Sequence, residues 1–238
     1  MNVTFGRAAS SFWMEREMKL TIVAATGGIG RQALELAVAA GHDVTAVVRD
    51  PKKLSRDVRV VAIDLLAPDP AALERSVKGA DAVLSGLGAG SKSDAGVASQ
   101  GTRAIVQAMK AMGVRRIVVV SAAPVSTVPS PGRPTPPKHD PGDGFVMRNF
   151  LSPLTKAALR NTYADLALME DVLRDSGLDW IVVRPPRLTD KPLTGTYRTA
   201  SGRNLRRGIF ISRADVAHLM LRVLAQPETI KQTIGIAN

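Results

Sequence analysis

Short apolar runs and helix-period segments alternate along this chain. Strand-length runs fall at Leu20–Ala25, Val44–Val48, Val58–Ile63, Ala82–Ser85, Arg116–Val120 and Trp180–Val183. Between them, apolar residues recur at helical spacing over Gly28–Ala40, Pro70–Val77, Ala95–Met112, Leu154–Ser176 and Ala214–Ala225. Strands interleaved with helices predict right-handed crossovers and a parallel sheet. Gly41, Gly113 and Gly177 stand where helices should end, each as a C′ residue. The expected fold class is α/β: a doubly wound parallel sheet in one domain over residues 18–238. A small C-terminal region, 185–213, is expected to serve a substrate.

The first strand runs straight into Thr26-Gly27-Gly28-Ile29-Gly30, and that turn opens a helix. Backbone N–H groups at such a turn and the positive end of the helix dipole both face an anion. In this strand–turn–helix context the pattern predicts a Rossmann-like dinucleotide site, with the glycines admitting a pyrophosphate. One departure is Ala24, which stands where the usual first glycine would be, so the turn must tolerate a methyl group. At the end of the next apolar run comes Arg49, where an acidic residue would take a ribose 2′-OH. Arg49 and Lys53 suit a 2′-phosphate, which turns the expected cofactor toward NADP(H).

Further residues collect at the carboxyl ends of strands, the edge where open α/β sheets bind ligands. Asp64 can accept from an adenine amino group while the Leu65 N–H donates to the ring; the plainer role for Asp64 is a loop carboxylate or helix cap. Gly86-Leu87-Gly88 closes the fourth strand, and Leu87 and Gly88 can let a cofactor lie flat. Ser121 ends the fifth strand, near an expected nicotinamide carboxamide or substrate carbonyl, or else merely satisfies backbone groups there. Pro185-Pro186 follows the sixth strand and either walls the nicotinamide face or simply terminates the ladder.

Composition narrows the possibilities. The 238 residues contain no cysteine, which excludes disulfides, thiol catalysis and thiolate metal sites. His42, His139 and His218 form no ligand spacing, so no metal is expected. No run approaches the roughly 18 apolar residues of a membrane span. Residues 1–17 lack a continuous apolar signal region; they read as a disordered extension or a misassigned start before Met18, and a cytoplasmic protein is expected. The net charge is +11, yet the basic residues are scattered and aromatics make up only 4%, so nucleic-acid binding is the weaker explanation. A polyanionic cofactor and a small acidic substrate account for clusters such as Arg49–Arg59 and Arg203–Arg213 as well. Residues 122–144 break the periodicity with prolines and glycines. They read either as a lid, with Phe145, Met147 and Phe150 packing over a cofactor, or as a loose surface insertion.

Taken together, the glycine turn, Val47-Val48-Arg49-Asp50, Ile63-Asp64, Leu87-Gly88, Lys110–Val114, Ser121-Ala122, Leu173–Leu178, Pro185-Pro186 and Leu193-Thr194-Gly195 form an ordered set. That set resembles the biliverdin-IXβ reductase / flavin reductase group of atypical short-chain dehydrogenase/reductases, with NAD(P)-binding, NmrA-like domains. The resemblance runs from about Met18 to the C-terminus, with 122–144 as an insertion. It implies that Thr26, Gly27, Gly28, Ile29 and Gly30 hold the pyrophosphate and that Arg49 and Lys53 hold the 2′-phosphate. It further implies that Asp64 and Leu65 hold the adenine, that Leu87 and Gly88 line the cofactor, and that Ser121, Pro185 and Pro186 border the nicotinamide.

Two departures bear on chemistry. Arg187 stands where the flavin reductase has a histidine after the proline pair. The Tyr-x-x-x-Lys dyad of typical short-chain dehydrogenases is missing: its positions correspond to Thr162 and Leu166, and Tyr163 is followed four residues later by Ala167. Without that general acid, an alcohol/ketone mechanism is disfavoured. The expected activity is therefore NADPH-dependent hydride transfer to a conjugated acceptor of flavin, quinone or tetrapyrrole type. Ser121 and Arg187 are the candidate catalytic residues, with Tyr163 as a more distant proton donor. The alternative is a non-catalytic NADP(H)-binding sensor that regulates a partner; an NAD-bound epimerase or dehydratase is a weaker third reading.

Overall fold

A computed structural model describes residues 17–54, 57–89, 94–140 and 159–238. The elements are β1 (Lys19–Val23), α1 (Gly28–Ala39), β2 (Asp43–Val48), β3 (Arg59–Ala62), α2 (Pro70–Val77), β4 (Ala82–Ser85), α3 (Val97–Ala111) and β5 (Arg116–Val120). They continue with α4 (Arg160–Asp175), β6 (Asp179–Arg184), β7 (Arg187–Thr189), β8 (Arg198–Ser201), β9 (Phe210–Ser212), α5 (Arg213–Arg222) and β10 (Gln232–Ala237). Eight strands form one sheet in the order β3-β2-β1-β4-β5-β6-β10-β8. Every pairing in it is parallel except β10 with β8. The architecture is the Rossmann-like α/β domain that the alternation predicts.

Both faces of the central strands are buried, which explains their near-continuous apolar sequences. Successive side chains point to opposite faces, and the two cores divide accordingly. Val83, Ile117, Val119, Trp180 and Val182 pack with α2, α3 and α4. Leu84, Val118, Val120, Ile181 and Val183 pack with α1 and α5. Thr21, a polar residue inside β1, donates to the Ser76 carbonyl at 2.6 Å and so is tolerated there.

Element boundaries shift modestly from the sequence expectations. β1 ends at Val23 rather than Ala25, because Ala24 turns left-handed (φ 58°) and starts the loop. The last predicted helix begins at Arg213 and gives way to a tight 3₁₀ turn at Val223–Ala225. Residues 154–158 of the fourth predicted helix lie outside the described residues, and α4 starts at Arg160. Gly41, Gly113 and Gly177 take φ of 80°, 72° and 71°, the left-handed geometry of helix C′ residues.

Four strands were not anticipated. β7 and β9 form a separate two-stranded parallel sheet, while β10 and β8 extend the main one.

Residues 123–140, within the described part of the expected 122–144 insertion, are tied to the domain by specific contacts. They open with a 3₁₀ turn over Ala123–Thr127, and an isolated bridge joins Ser130 to Arg133. Asp171 of α4 accepts from the Ser130 hydroxyl and the Gly132 N–H, both at 3.0 Å, and Asp140 accepts from the Asn204 N–H at 2.9 Å. Those backbone and hydroxyl donors, together with Arg174, outweigh burial and hold the Asp171 carboxyl below its ordinary pKa. The expected lid residues Phe145, Met147 and Phe150 lie outside the described residues, as do residues 1–16 of the expected extension. Among the described residues, no helix is long and apolar enough to cross a membrane.

Candidate cofactor site

The strand order reverses direction between β1 and β4, and the site lies at the carboxyl ends of those two strands. Ala24 leaves β1 in the left-handed conformation, and its carbonyl accepts from the Gly27 N–H at 2.8 Å. This closes the turn with a methyl group in place. Gly30 then passes directly over that carbonyl: a Cβ on Gly30 would stand 2.1 Å from the Ala24 oxygen. A Cβ on Gly86, at the end of β4, would in turn meet the Gly30 nitrogen at 3.0 Å. The glycines are therefore demanded by backbone packing at the β1–β4 crevice.

Gly27 caps α1 with no side-chain hydrogen bond, and no acidic residue lies in the first turn. No carboxylate of the cap or the first turn therefore competes for the opening N–H groups of α1. Together with the positive helix terminus, this cradle fits the pyrophosphate of a dinucleotide.

A cleft of about 290 Å³ extends from the turn across the ends of β2 and β3. Eight of the residues singled out in the sequence line it: Thr26, Gly27, Arg49, Lys53, Asp64, Leu65, Leu87 and Gly88. Ile29 and Gly30 lie buried behind it, fixing the start of α1. Asp64 is exposed, and its Oδ1 accepts from the Leu66 N–H at 3.0 Å. That places it in the loop-carboxylate role and also beside the cleft.

Asp94 is a cleft residue that sequence reasoning missed. It is buried, and its Oδ1 accepts from the Arg49 guanidinium at 2.8 Å. This hydrogen bond, aided by the charges of Asp94 and Asp64, raises the Arg49 pKa above its ordinary value. Asp94 follows a Gly/Ser-rich stretch with no periodic signal. The cleft therefore lines two cations, Arg49 and Lys53, with three carboxylates, Asp50, Asp64 and Asp94.

Ser121, Tyr163, Pro185, Pro186 and Arg187 do not line that cleft. Ser121 sits at the end of β5, where its N–H donates to the Val183 carbonyl at 2.8 Å. Its hydroxyl donates to Glu170 Oε1 at 2.7 Å. Glu170 is 1% exposed. It also accepts from Arg184 Nε at 2.8 Å and pairs through its other oxygen with a terminal nitrogen of Arg184. The strand-end serine is thus held by a buried carboxylate rather than by backbone groups alone. Glu170 was the missed residue here, and its position on the apolar face of a predicted helix was the available signal.

Tyr163 lies seven residues before Glu170 on α4, on nearly the same helix face. It is buried, and burial raises its phenol pKa. The Pro185 carbonyl accepts from the Ala123 N–H at 2.9 Å, which ties the end of β6 to the segment after Ser121. Arg187 begins β7; it is exposed, and its guanidinium lies 5.8 Å from the centroid of the Phe210 ring. Its N–H donates to the Ile209 carbonyl at 3.1 Å.

Comparison with known proteins accords with this geometry. The family model described as NAD(P)H-binding matches residues 24–227. The uncharacterized sugar epimerase YhfK of Bacillus subtilis (strain 168) is 27% identical over 220 residues, 89% of this chain and 90% of that protein. Among solved structures, a Streptococcus pneumoniae TIGR4 protein, SP1627, assigned as an NADH-flavin reductase, is 27% identical with a TM-score of 0.68, covering 93% of this chain and 99% of that one. The anaerobillin reductase ChuY of Escherichia coli O157:H7 shares the fold with a TM-score of 0.71 at 23% identity, covering 92% of this chain and 96% of its own.

Proposed function

The chain belongs to the NAD(P)H-binding family, and we propose that it is an NADPH-dependent reductase that passes hydride to a conjugated small-molecule acceptor of the flavin, quinone or linear tetrapyrrole class. The observation that carries this reading is the joining of the acid-free glycine turn with Arg49 and Lys53 in one cleft. Two similar proteins named as reductases, of a flavin and of an anaerobillin, support the acceptor class.

NADPH, when bound, supplies the hydride. Thr26 to Gly30 bind its pyrophosphate through backbone N–H groups. Arg49 and Lys53 bind the 2′-phosphate, with Arg49 exchanging its bond to Asp94 for a stronger anion. Asp64 and Leu65 hold the adenine edge, and Leu87 and Gly88 give the cofactor a flat wall. Because the Ser121 hydroxyl donates to Glu170, its lone pairs are left to accept from an amide N–H such as that of the nicotinamide. Pro185 and Pro186 border the ring. Tyr163, a buried phenol on the same helix face as Glu170, is the more distant candidate proton donor to a reduced acceptor. Arg187 stabilises anionic charge on the acceptor. A conjugated acceptor spreads the added charge over its own framework, so orientation supplies most of what the protein must provide.

The second reading is an NADP(H) sensor without turnover. It is favoured by Ala167, which stands four residues after Tyr163 where a typical dyad has lysine. Steady-state oxidation of NADPH against flavins, quinones and linear tetrapyrroles separates the two. The reductase predicts turnover with at least one acceptor and a raised KM for acidic acceptors in Arg187→Ala. Tight NADPH binding with no turnover across the panel overturns the reductase in favour of the sensor. An epimerase, as in the name of the Bacillus subtilis relative, predicts no net NADPH consumption with any acceptor.

A further inference from the structure

Resting on the NADPH reading, we propose that Arg213 is a further cofactor-binding residue. Its guanidinium leaves Asp190 to clasp the pyrophosphate at the first turn of α1. Gly28 is the first residue of that helix. A Cβ built on Gly28 would lie 2.7 Å from both Cδ and Nε of Arg213. The space a side chain at position 28 would need is therefore filled by the stem of Arg213, reaching over from α5. Gly27 and Gly28 contribute only neutral backbone donors at this point. Arg213 adds a full positive charge and a planar fork of donors suited to phosphate oxygens.

The base of this side chain is rigid. Ser212 caps α5, accepting from the Asp215 N–H at 2.9 Å and donating to Asp215 Oδ2 at 2.7 Å. Asp215 is fully buried and also accepts from the Thr194 and Gly195 N–H groups at 3.0 and 2.9 Å. Arg213 thus projects from a fixed helix start, and α5 packs with α1 in one core. The far end is not locked. Its Nη1 donates to Asp190 Oδ1 at 2.6 Å, but the Asp190 side chain is 88% exposed. Ion pairs with such exposed partners contribute little, so exchange for the two negative charges of a pyrophosphate is favourable. Arg49 and Lys53 line the adenosine end of the same cleft as Gly27. The cofactor then meets one set of cations at its 2′-phosphate and a separate one at its pyrophosphate.

The test compares two probes on the full chain: NADPH, and adenosine 2′-monophosphate, which lacks the pyrophosphate. Arg213→Gln keeps the stem over Gly28 and removes the charge. The proposal predicts a loss of NADPH affinity of about tenfold, the loss of one charge-assisted contact, with the affinity for adenosine 2′-monophosphate unchanged. Arg213→Lys recovers part of the loss. Asp190→Asn, which frees the guanidinium from its surface partner, tightens NADPH binding and serves even where Arg213→Gln does not fold. Unchanged NADPH affinity in Arg213→Gln, or equal loss for both probes, overturns the assignment while leaving the NADPH reading intact. A wild-type protein that binds neither probe overturns that reading and this proposal together.

Discussion

Ala24 takes a left-handed backbone (φ 58°) where the glycine turn begins. That conformation costs an L-residue about 1–2 kcal/mol. Ala24→Gly should therefore raise the unfolding free energy by about 1 kcal/mol, part of the relief being offset by the freer unfolded chain. Gly30→Ala should act oppositely, because its Cβ meets a backbone carbonyl at 2.1 Å that cannot rotate away. A loss of about 2 kcal/mol or more is expected from this overpacking. Urea unfolding of both variants checks the pair, and a Gly30→Ala protein as stable as wild type would refute the close approach. The substitution at position 24 was legible in the sequence, but its strain was not, since φ follows from how the turn closes. Arg49 was legible in the same way as a cation at the end of β2. Its partner Asp94 lies 45 residues away and becomes visible only when β2 and the loop after β4 meet.

Helix α4 shows what a helical pattern leaves unsaid. Its apolar face was evident, yet Asp165, Glu170 and Asp171 are all buried within it. Each has a separate task. Asp165 accepts from the Ala98 and Ser99 N–H groups at the start of α3, Glu170 holds Ser121 and Arg184, and Asp171 anchors the 130–133 turn. Removing one member of a buried ion pair strands the other charge, at about 3–5 kcal/mol. Glu170→Gln should cost that much in chemical denaturation, because the Arg184 side chain is only 6% exposed. Ser121→Ala should cost about 1 kcal/mol, one neutral-to-charged hydrogen bond less its solvation. If Glu170→Gln costs no more than Ser121→Ala, the buried network is not holding the β5 and β6 ends. Among the other elements, α2 matched its expected ends because Asp69 caps it and Pro70 starts it. β7 and β9 were illegible, being three residues each, paired with one another and held to the domain by distant contacts such as the Asn238 N–H on the Phe210 carbonyl. β10 carried a usable signal in Ile234–Ala237, interrupted by Gly235, where a Cβ would strike the Arg203 carbonyl at 2.3 Å.

At the scale of the molecule, two ligand-edge regions emerge from one sheet. The cleft from the glycine turn to Leu87 and Gly88, which we propose takes the adenosine end of the cofactor, was largely written in strand-end residues, because a parallel sheet gathers those ends at one edge. The other end, around Ser121, Pro185 and Arg187, was less legible, because β7 and β9 and the contacts of residues 123–140 depend on distant parts of the chain. The +11 net charge is compatible with attraction of an anionic cofactor, yet the cleft itself mixes two cations with three carboxylates. On the proposed function, cofactor choice turns on whether Arg49 gives up Asp94 for a 2′-phosphate. Equilibrium titration of wild type and Arg49→Asp with NADPH and NADH tests this directly. The account predicts that wild type prefers NADPH and that Arg49→Asp loses about tenfold or more of its NADPH affinity, with NADH binding nearly unchanged. Equal losses for the two cofactors, or a wild type that prefers NADH, would contradict it.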